Sequence, residues 1–347
     1  KLKLRNYLDV IVLLYILYNL STIVFYFPTN IPFSVFFKEF SNSILPILLF
    51  YFLGKLNHDN LFYKITLYSI SICLFLSFYY QLTLPISFMQ RLDIIDGSGT
   101  NPLGYLNQYT SFLGITATGS LGAIASFLAF ILMYQTNLKK GKILFILCSI
   151  ALILSLRRGP IYSLVFSIFL INIILVFKFR GNLKLFFSEF ILIVFIIFFL
   201  IDFNSDNYLL FADRFSSISN AIAERSDSWY EGLSKTFNIV GGDGLGRYGH
   251  KVVGFSDIYI PDGNYFRMIA ELGIVGFLLF LSIIFTAIYN GLLKIKTHYI
   301  QLLIVIMVCI QSVGSDMFSF QLVAPIFWYS IGACNKIDYN SKNTKLI

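Results

Sequence analysis

Arg157 and Arg158 stand side by side in "SLRRGPIYS" (155–163), between two apolar runs of the kind that partition into lipid. A charge held at the centre of a bilayer costs at least ~2.5–3.5 kcal/mol on insertion scales, so such a pair needs a partner or a route to water. A guanidinium is a planar fork of five donors that grips phosphate or carboxylate with two bonds at once. Pro160 follows and suits the first turn of a helix, where its missing N–H costs nothing. That helix would present its free N–H groups and positive dipole end beside both arginines. The chemistry on offer is anion binding, whether of a dedicated ligand or of ordinary phospholipid phosphates reached by snorkelling.

Further cations gather in the segment 202–267. Its first half, "FADRFSSISNAIAERSDSWYEGLSKTF", places Phe211, Phe215, Ile218, Ile222, Trp229, Leu233 and Phe237 at spacings near 3.6, the apolar stripe of an amphipathic helix. Asp213, Glu224, Asp227 and Glu231 fall on the opposite face. Arg225 lies on the stripe and Arg214 at its edge. Either the Arg225 stem snorkels along apolar surface, or the guanidinium projects into a cavity beneath the helix and meets a negative group. A formal Gly-x-Gly-x-x-Gly match at 244–249 has no βαβ unit around it, so its glycines are read as tight turns and a dinucleotide site is rejected. His250 is a lone histidine in this region and cannot build a metal site. A site free of metal and cofactor is expected.

These residues must be positioned by helices in lipid. The 347 residues are 57% hydrophobic and 13% charged, with mean hydropathy +0.76, against roughly 25% charged in a soluble domain. Long, uniformly apolar runs exclude a β-barrel, whose strands alternate. The expected fold is an all-α polytopic membrane protein of about ten spans, near 8–27, 43–56, 61–82, 112–134, 143–156, 161–177, 185–201, 268–290, 299–317 and 319–335. Residues 1–201 would hold seven spans, 202–267 one large loop carrying the site, and 268–347 the last three spans and a tail. No small-residue cleavage site follows the first run, which reads as a retained span. Cys73, Cys148, Cys309 and Cys334 sit within apolar runs, with neither metal spacing nor a disulfide framework.

The net charge of +8 is not a nucleic-acid footprint, because of where it lies. Alternate loops and both termini carry 16 of the 26 basic residues, which marks that side as cytoplasmic. The cytoplasmic set is 14 Lys and 2 Arg; the other side has 7 Arg and 3 Lys. Positive charge alone serves orientation, whereas arginine gathered on the outer side suits an anionic ligand. Pairing with acidic residues of that same side is the plainer alternative.

The order of four pieces resembles the Wzy-type O-antigen polymerase and O-antigen ligase superfamily: "SLRRGP" opening a span, one large outer loop, "ERSDSW" followed by "GGDGLG", and "DGNYFRMIAELGIVG" leading into the next span. The ligase branch carries His-[Asn/Ser/Gln]-x9-Gly-x-x-Gly here. Aligning on Gly273 and Gly276 puts Asp262 at the histidine position, which favours the polymerase branch. The resemblance implies a glycosyltransferase that joins undecaprenyl-diphosphate-linked oligosaccharide repeat units at the outer face of a bacterial cytoplasmic membrane. Donor and acceptor units, membrane lipids and a chain-length regulator protein would be its partners. Arg157, Arg158 and Arg225 would stabilise the departing diphosphate, with Arg91, Arg214 and Arg247 as further cations. Asp262, or else His250, would act as base; Asp262 could equally cap the following helix. Trp229, Tyr230, Asn264 and Tyr265 would line the sugar groove. A ligase-like transferase, or a transporter of lipid-linked or other anionic substrates, is the rival reading.

Overall fold

The computed structural model describes residues 7–26, 31–56, 60–83, 115–135, 138–155, 157–179, 218–256, 258, 260, 263–320 and 322–335. Among these residues the chain is helical, and strand-like pairing is confined to an isolated bridge between Val253 and Ser256. In chain order the helices are α1 (Tyr7–Ser21), α2 (Phe33–Ser43), α3 (Phe52–Leu56), α4 (Leu61–Thr83), α5 (Ile115–Gln135), α6 (Leu138–Leu154), α7 (Arg158–Phe179), α8 (Ile218–Ser234), α9 (Asn264–Leu293), α10 (Ile295–Gln311) and α11 (Ala324–Cys334).

Among the described residues three stretches are long and apolar enough to cross a membrane: Tyr7–Tyr26, Phe33–Leu56 and Asn264–Leu293. Their outer faces fit that setting. On α1, Leu8, Val12 and Ile16 are buried while Val10, Leu13, Leu14 and Leu17 are exposed. An apolar row of this kind is at home in lipid and costly in water. Shorter apolar helices cover Leu61–Ser77, Ala117–Met133, Arg158–Ile174 and Ile295–Gln311. Together they point to a membrane location.

Helix boundaries differ from the sequence expectation in three places. The second apolar stretch starts at Phe33 rather than 43, because Lys38 and Glu39, which read as loop charges, lie within α2. A wide helical turn at Ile47–Tyr51 joins α2 to α3 just after Pro46, whose ring and missing N–H disturb the regular ladder. The final run is helical only over Ala324–Cys334, about 16 Å at 1.5 Å per residue. The amphipathic helix ends at Ser234, so Phe237 leaves the stripe and is exposed. The expected span at 185–201 lies outside the described residues.

Contacts divide the chain into two compact units, 1–58 with 227–347, and 59–226. The second unit packs α4, α5, α6 and α7 together. Small polar side chains, among them Thr118, Ser120, Ser126 and Ser149, are buried in it, as suits close helix approach in lipid. The first unit packs α1, α9, α10, α11 and the α2–α3 stretch. One end of it is fastened by Asp9, which binds Lys55 and accepts from Tyr51 Oη (2.6 Å) and Asn335 Nδ2 (3.0 Å).

At the other end α9 is broken. Gly273 takes φ 66° and ψ −178°, a conformation open essentially to glycine alone. The break frees backbone groups that a membrane helix cannot leave unmet. The segment 239–244 meets them. Asp243 N and Gly244 N donate to Ala270 O (3.0 Å) and Glu271 O (2.9 Å) on one side of the break. Ile274 N and Val275 N donate to Ile239 O (3.0 Å) and Val240 O (3.2 Å) on the other. Gly242, at φ 77°, lies so close that a Cβ there would fall 2.4 Å from Gly273 N. The Tyr18 hydroxyl of α1 sits 2.8 Å from both the Gly241 and Leu272 carbonyl oxygens and ties a third segment to the joint.

Candidate functional site

The docked loop builds a polar pocket over the first turns of α9. Asp243 organises the loop from within. Its carboxylate accepts from Phe237 N and Asn238 N, both at 2.9 Å, and from Tyr248 Oη at 2.6 Å. Burial, reinforced by that carboxylate, lifts the Tyr248 hydroxyl well above the usual tyrosine range, so it remains a donor. Trp229 and Leu233 of α8 pack against Tyr248, Ile260 and Ala270, and the Trp229 ring stacks on Phe266 at 4.4 Å. Tyr248 N donates to Glu271 Oε1 at 3.1 Å. The loop is thereby pinned to α9 by side chains as well as by backbone.

Beneath it lies Arg267, itself buried. Its Nη1 donates to Asp316 Oδ2 at 2.8 Å. Its Nη2 faces Ser319 Oγ (2.8 Å), Glu39 Oε1 (3.2 Å) and Asn264 Oδ1 (3.3 Å), and Nε lies 3.8 Å from Glu271 Oε1. Glu39 also accepts from Ser43 Oγ at 2.7 Å. A buried ion pair is tolerated only when its remaining donors and acceptors are satisfied; here one fork serves three carboxyl groups. A pocket of about 80 Å³ opens beside this cluster, lined by Glu39, His250, Lys251, Arg267, Asp316 and Ser319 among others. His250 begins a short 3₁₀ turn, with its Nε2 3.8 Å from Asp316 Oδ2. Among the described residues no three His, Cys, Asp or Glu side chains are placed to hold a metal.

The expected site residues divide between the two units. Arg157, Arg158 and Arg225 belong to 59–226. Arg157 and Arg158 are half-buried at the start of α7, the N-terminal position expected from Pro160. The Arg157 stem packs on α5 at Gly119, where an added Cβ would fall 2.9 Å from Arg157 Cβ. Arg225 is partly exposed on α8. The other unit holds Arg247, His250, Trp229, Tyr230, Asn264 and Tyr265. Of these, His250 lines the pocket, and Asn264 shares Arg267 while its Nδ2 donates to Ser315 O at 3.1 Å. Arg247 is engaged inside the loop, donating from Nη1 to Asp243 O at 2.9 Å. The Tyr265 hydroxyl is taken by Cys309 O at 2.9 Å. Tyr230 is exposed, whereas the Trp229 face is occupied by Phe266. Arg91, Arg214 and Asp262 lie outside the described residues. Gly244 and Gly246, from the formal glycine motif, occupy turns at positive φ, and no βαβ unit accompanies them among the described residues.

Sequence reasoning did not single out the hub itself: Arg267, Glu39, Glu271 and Asp316. One signal was present, since Arg267 and Glu271 stand four apart in an otherwise apolar run.

No family model matches the chain, and no curated protein does so.

Proposed function

We propose that the chain is a membrane glycosyltransferase that polymerises undecaprenyl-diphosphate-linked oligosaccharide repeat units at the outer face of a bacterial cytoplasmic membrane. In this reading about ten spans cross the bilayer, both termini are cytoplasmic, and the docked loop faces outward. One observation carries it. The segments 239–250 and 263–276, which bear much of the family resemblance, fold onto each other and open a polar pocket at the end of a helical unit with apolar flanks.

The chemistry needs two things, and the chain has residues for both. An oxygen of the acceptor sugar attacks the anomeric carbon that joins the growing glycan to its lipid diphosphate. The bond to the diphosphate oxygen breaks, and the polyprenyl diphosphate leaves with the electron pair. Positioned cations in a poorly hydrated site stabilise that departing charge. Arg157 and Arg158 at the head of α7, with Arg225 in the same unit, take this role. The acceptor hydroxyl also needs a base within hydrogen-bond reach, for which Asp262 and His250 are the candidates.

The full chain, purified into lipid nanodiscs and given the lipid-linked repeat units of its own cell without nucleotide, should build a ladder of lipid-linked glycans spaced by one repeat. Arg157→Lys and Arg158→Lys keep the charge and lose the fork, so at least one should shorten the ladder at unchanged protein level. Absence of any elongation by the wild-type chain would overturn the reading in favour of transport.

A further inference from the structure

We infer that the 80 Å³ pocket receives the nucleophilic hydroxyl of the acceptor sugar rather than the diphosphate, with His250 taking its proton and Asp316 positioning the imidazole. This rests on the glycosyltransferase reading and assigns a part of the substrate to this pocket.

What the walls can exchange decides between the two ligands. Arg267 lines the pocket, yet its donors are directed to Asp316, Glu39, Asn264 and Ser319. A diphosphate is acceptor-only and would find those donors committed. It would also be set against the carboxylates of Glu39 and Asp316, and like charges in a partly buried site repel strongly. A carboxylate ligand meets the same obstacle. A hydroxyl is different, because it donates one hydrogen bond and accepts others. Carboxylate oxygens of Asp316 and Glu39 suit its proton, and the Lys251 ammonium suits its lone pairs. The space beside the carboxylates suits a few waters or one small polar substituent. The pocket is dipolar rather than cationic.

The proton has a path out. His250 is exposed, at 56% of its side chain, and its Nε2 is 3.8 Å from Asp316 Oδ2. Asp316 is held in turn by Arg267 Nη1 at 2.8 Å, so the carboxylate is fixed by the buried hub. Catalytic hydrogen bonds are often long before substrate arrives. On transfer the acceptor oxygen forms its bond to the anomeric carbon, its proton passes to His250, and the diphosphate departs. His250 then releases the proton to water. The titratable and charged groups lining this exchange are Glu39 of α2, Lys251 beside His250, Arg267 of α9, and Asp316; Glu271 reaches it only through Arg267 Nε, at 3.8 Å.

The full chain in nanodiscs, elongating its lipid-linked units, separates the alternatives. His250→Ala, at an exposed position, should lower the rate by about 10²-fold or more, and added imidazole should restore part of it. A purely structural histidine would give no rescue. Asp316→Asn should lower kcat, and Asp316→Glu should recover activity in part; since Asp316 also binds Arg267, the His250→Ala result stands without it. Inorganic pyrophosphate, used as a competing probe, should inhibit wild type and Lys251→Gln within about twofold of each other. Ten-fold weaker inhibition of Lys251→Gln would show a diphosphate in this pocket and overturn the assignment. Full activity of His250→Ala would overturn the base role alone, whereas no elongation by wild type would sink the polymerase reading with it.

Discussion

Arg267 shows how one buried side chain sets the chemistry around it. Its fork spans acceptors from three separated parts of the chain, Glu39, Asn264 and Asp316. Replacing it with methionine leaves carboxylates without their cation, and breaking a buried pair in this way costs about 3–5 kcal/mol. Arg267→Met should therefore fall sharply in thermal melting of the detergent-purified chain. Arg267→Lys should also melt lower than wild type, because a single ammonium cannot reach both Asp316 and Ser319 in the arginine geometry. The residue escaped sequence reasoning for a physical reason. A charged residue near a span end is ordinarily solvated, and its meaning here depends on Glu39, 228 positions away. The helix start beside Arg157 was legible because Pro160 and the surrounding apolar runs are local signals.

At the scale of elements, the broken α9 and the loop that fills it form one joint. Gly273→Ala forces a side chain into a glycine-only conformation, with its Cβ 2.2 Å from Val240 O. Strain of this type costs about 1–3 kcal/mol, and the expected outcome is faster protease cleavage within 235–256. Tyr18→Phe removes the hydroxyl at the same joint, worth about 0.5–1.5 kcal/mol, and should give a milder change in the same assay. The Asp243–Tyr248 clasp adds a pH signature. The folded loop favours the protonated phenol, so its contribution is complete below the ordinary tyrosine value of about 10 and declines as pH rises beyond it. Loop protection should hold through neutral pH and weaken only in strong alkali. In the other unit, Gly119→Leu would press on the Arg157 stem; overpacking costs about 1–3 kcal/mol, and under the proposed polymerase function glycan length should fall with it. The break in α9 was not legible, since 264–293 reads as polar motif followed by span. The loop's backbone bonds, with the Tyr18 hydroxyl, make an interruption there tolerable in lipid.

For the whole molecule, the sequence distribution of lysine and arginine motivates the central element of the proposed function, that the candidate residues face the side of the membrane opposite the lysine-rich one. Helical class and membrane location were readable from composition and run length, because lipid imposes those features on every span. The division into two units was not, since the first joins the two ends of the chain. The most direct measurement is labelling of single cysteines at positions 158, 250 and 294 with a membrane-impermeant maleimide, in a chain lacking the four native cysteines. In intact cells positions 158 and 250 should react and 294 should react only after permeabilisation. Labelling of 158 and 250 from opposite faces, or of both from the cytosol, would contradict the account.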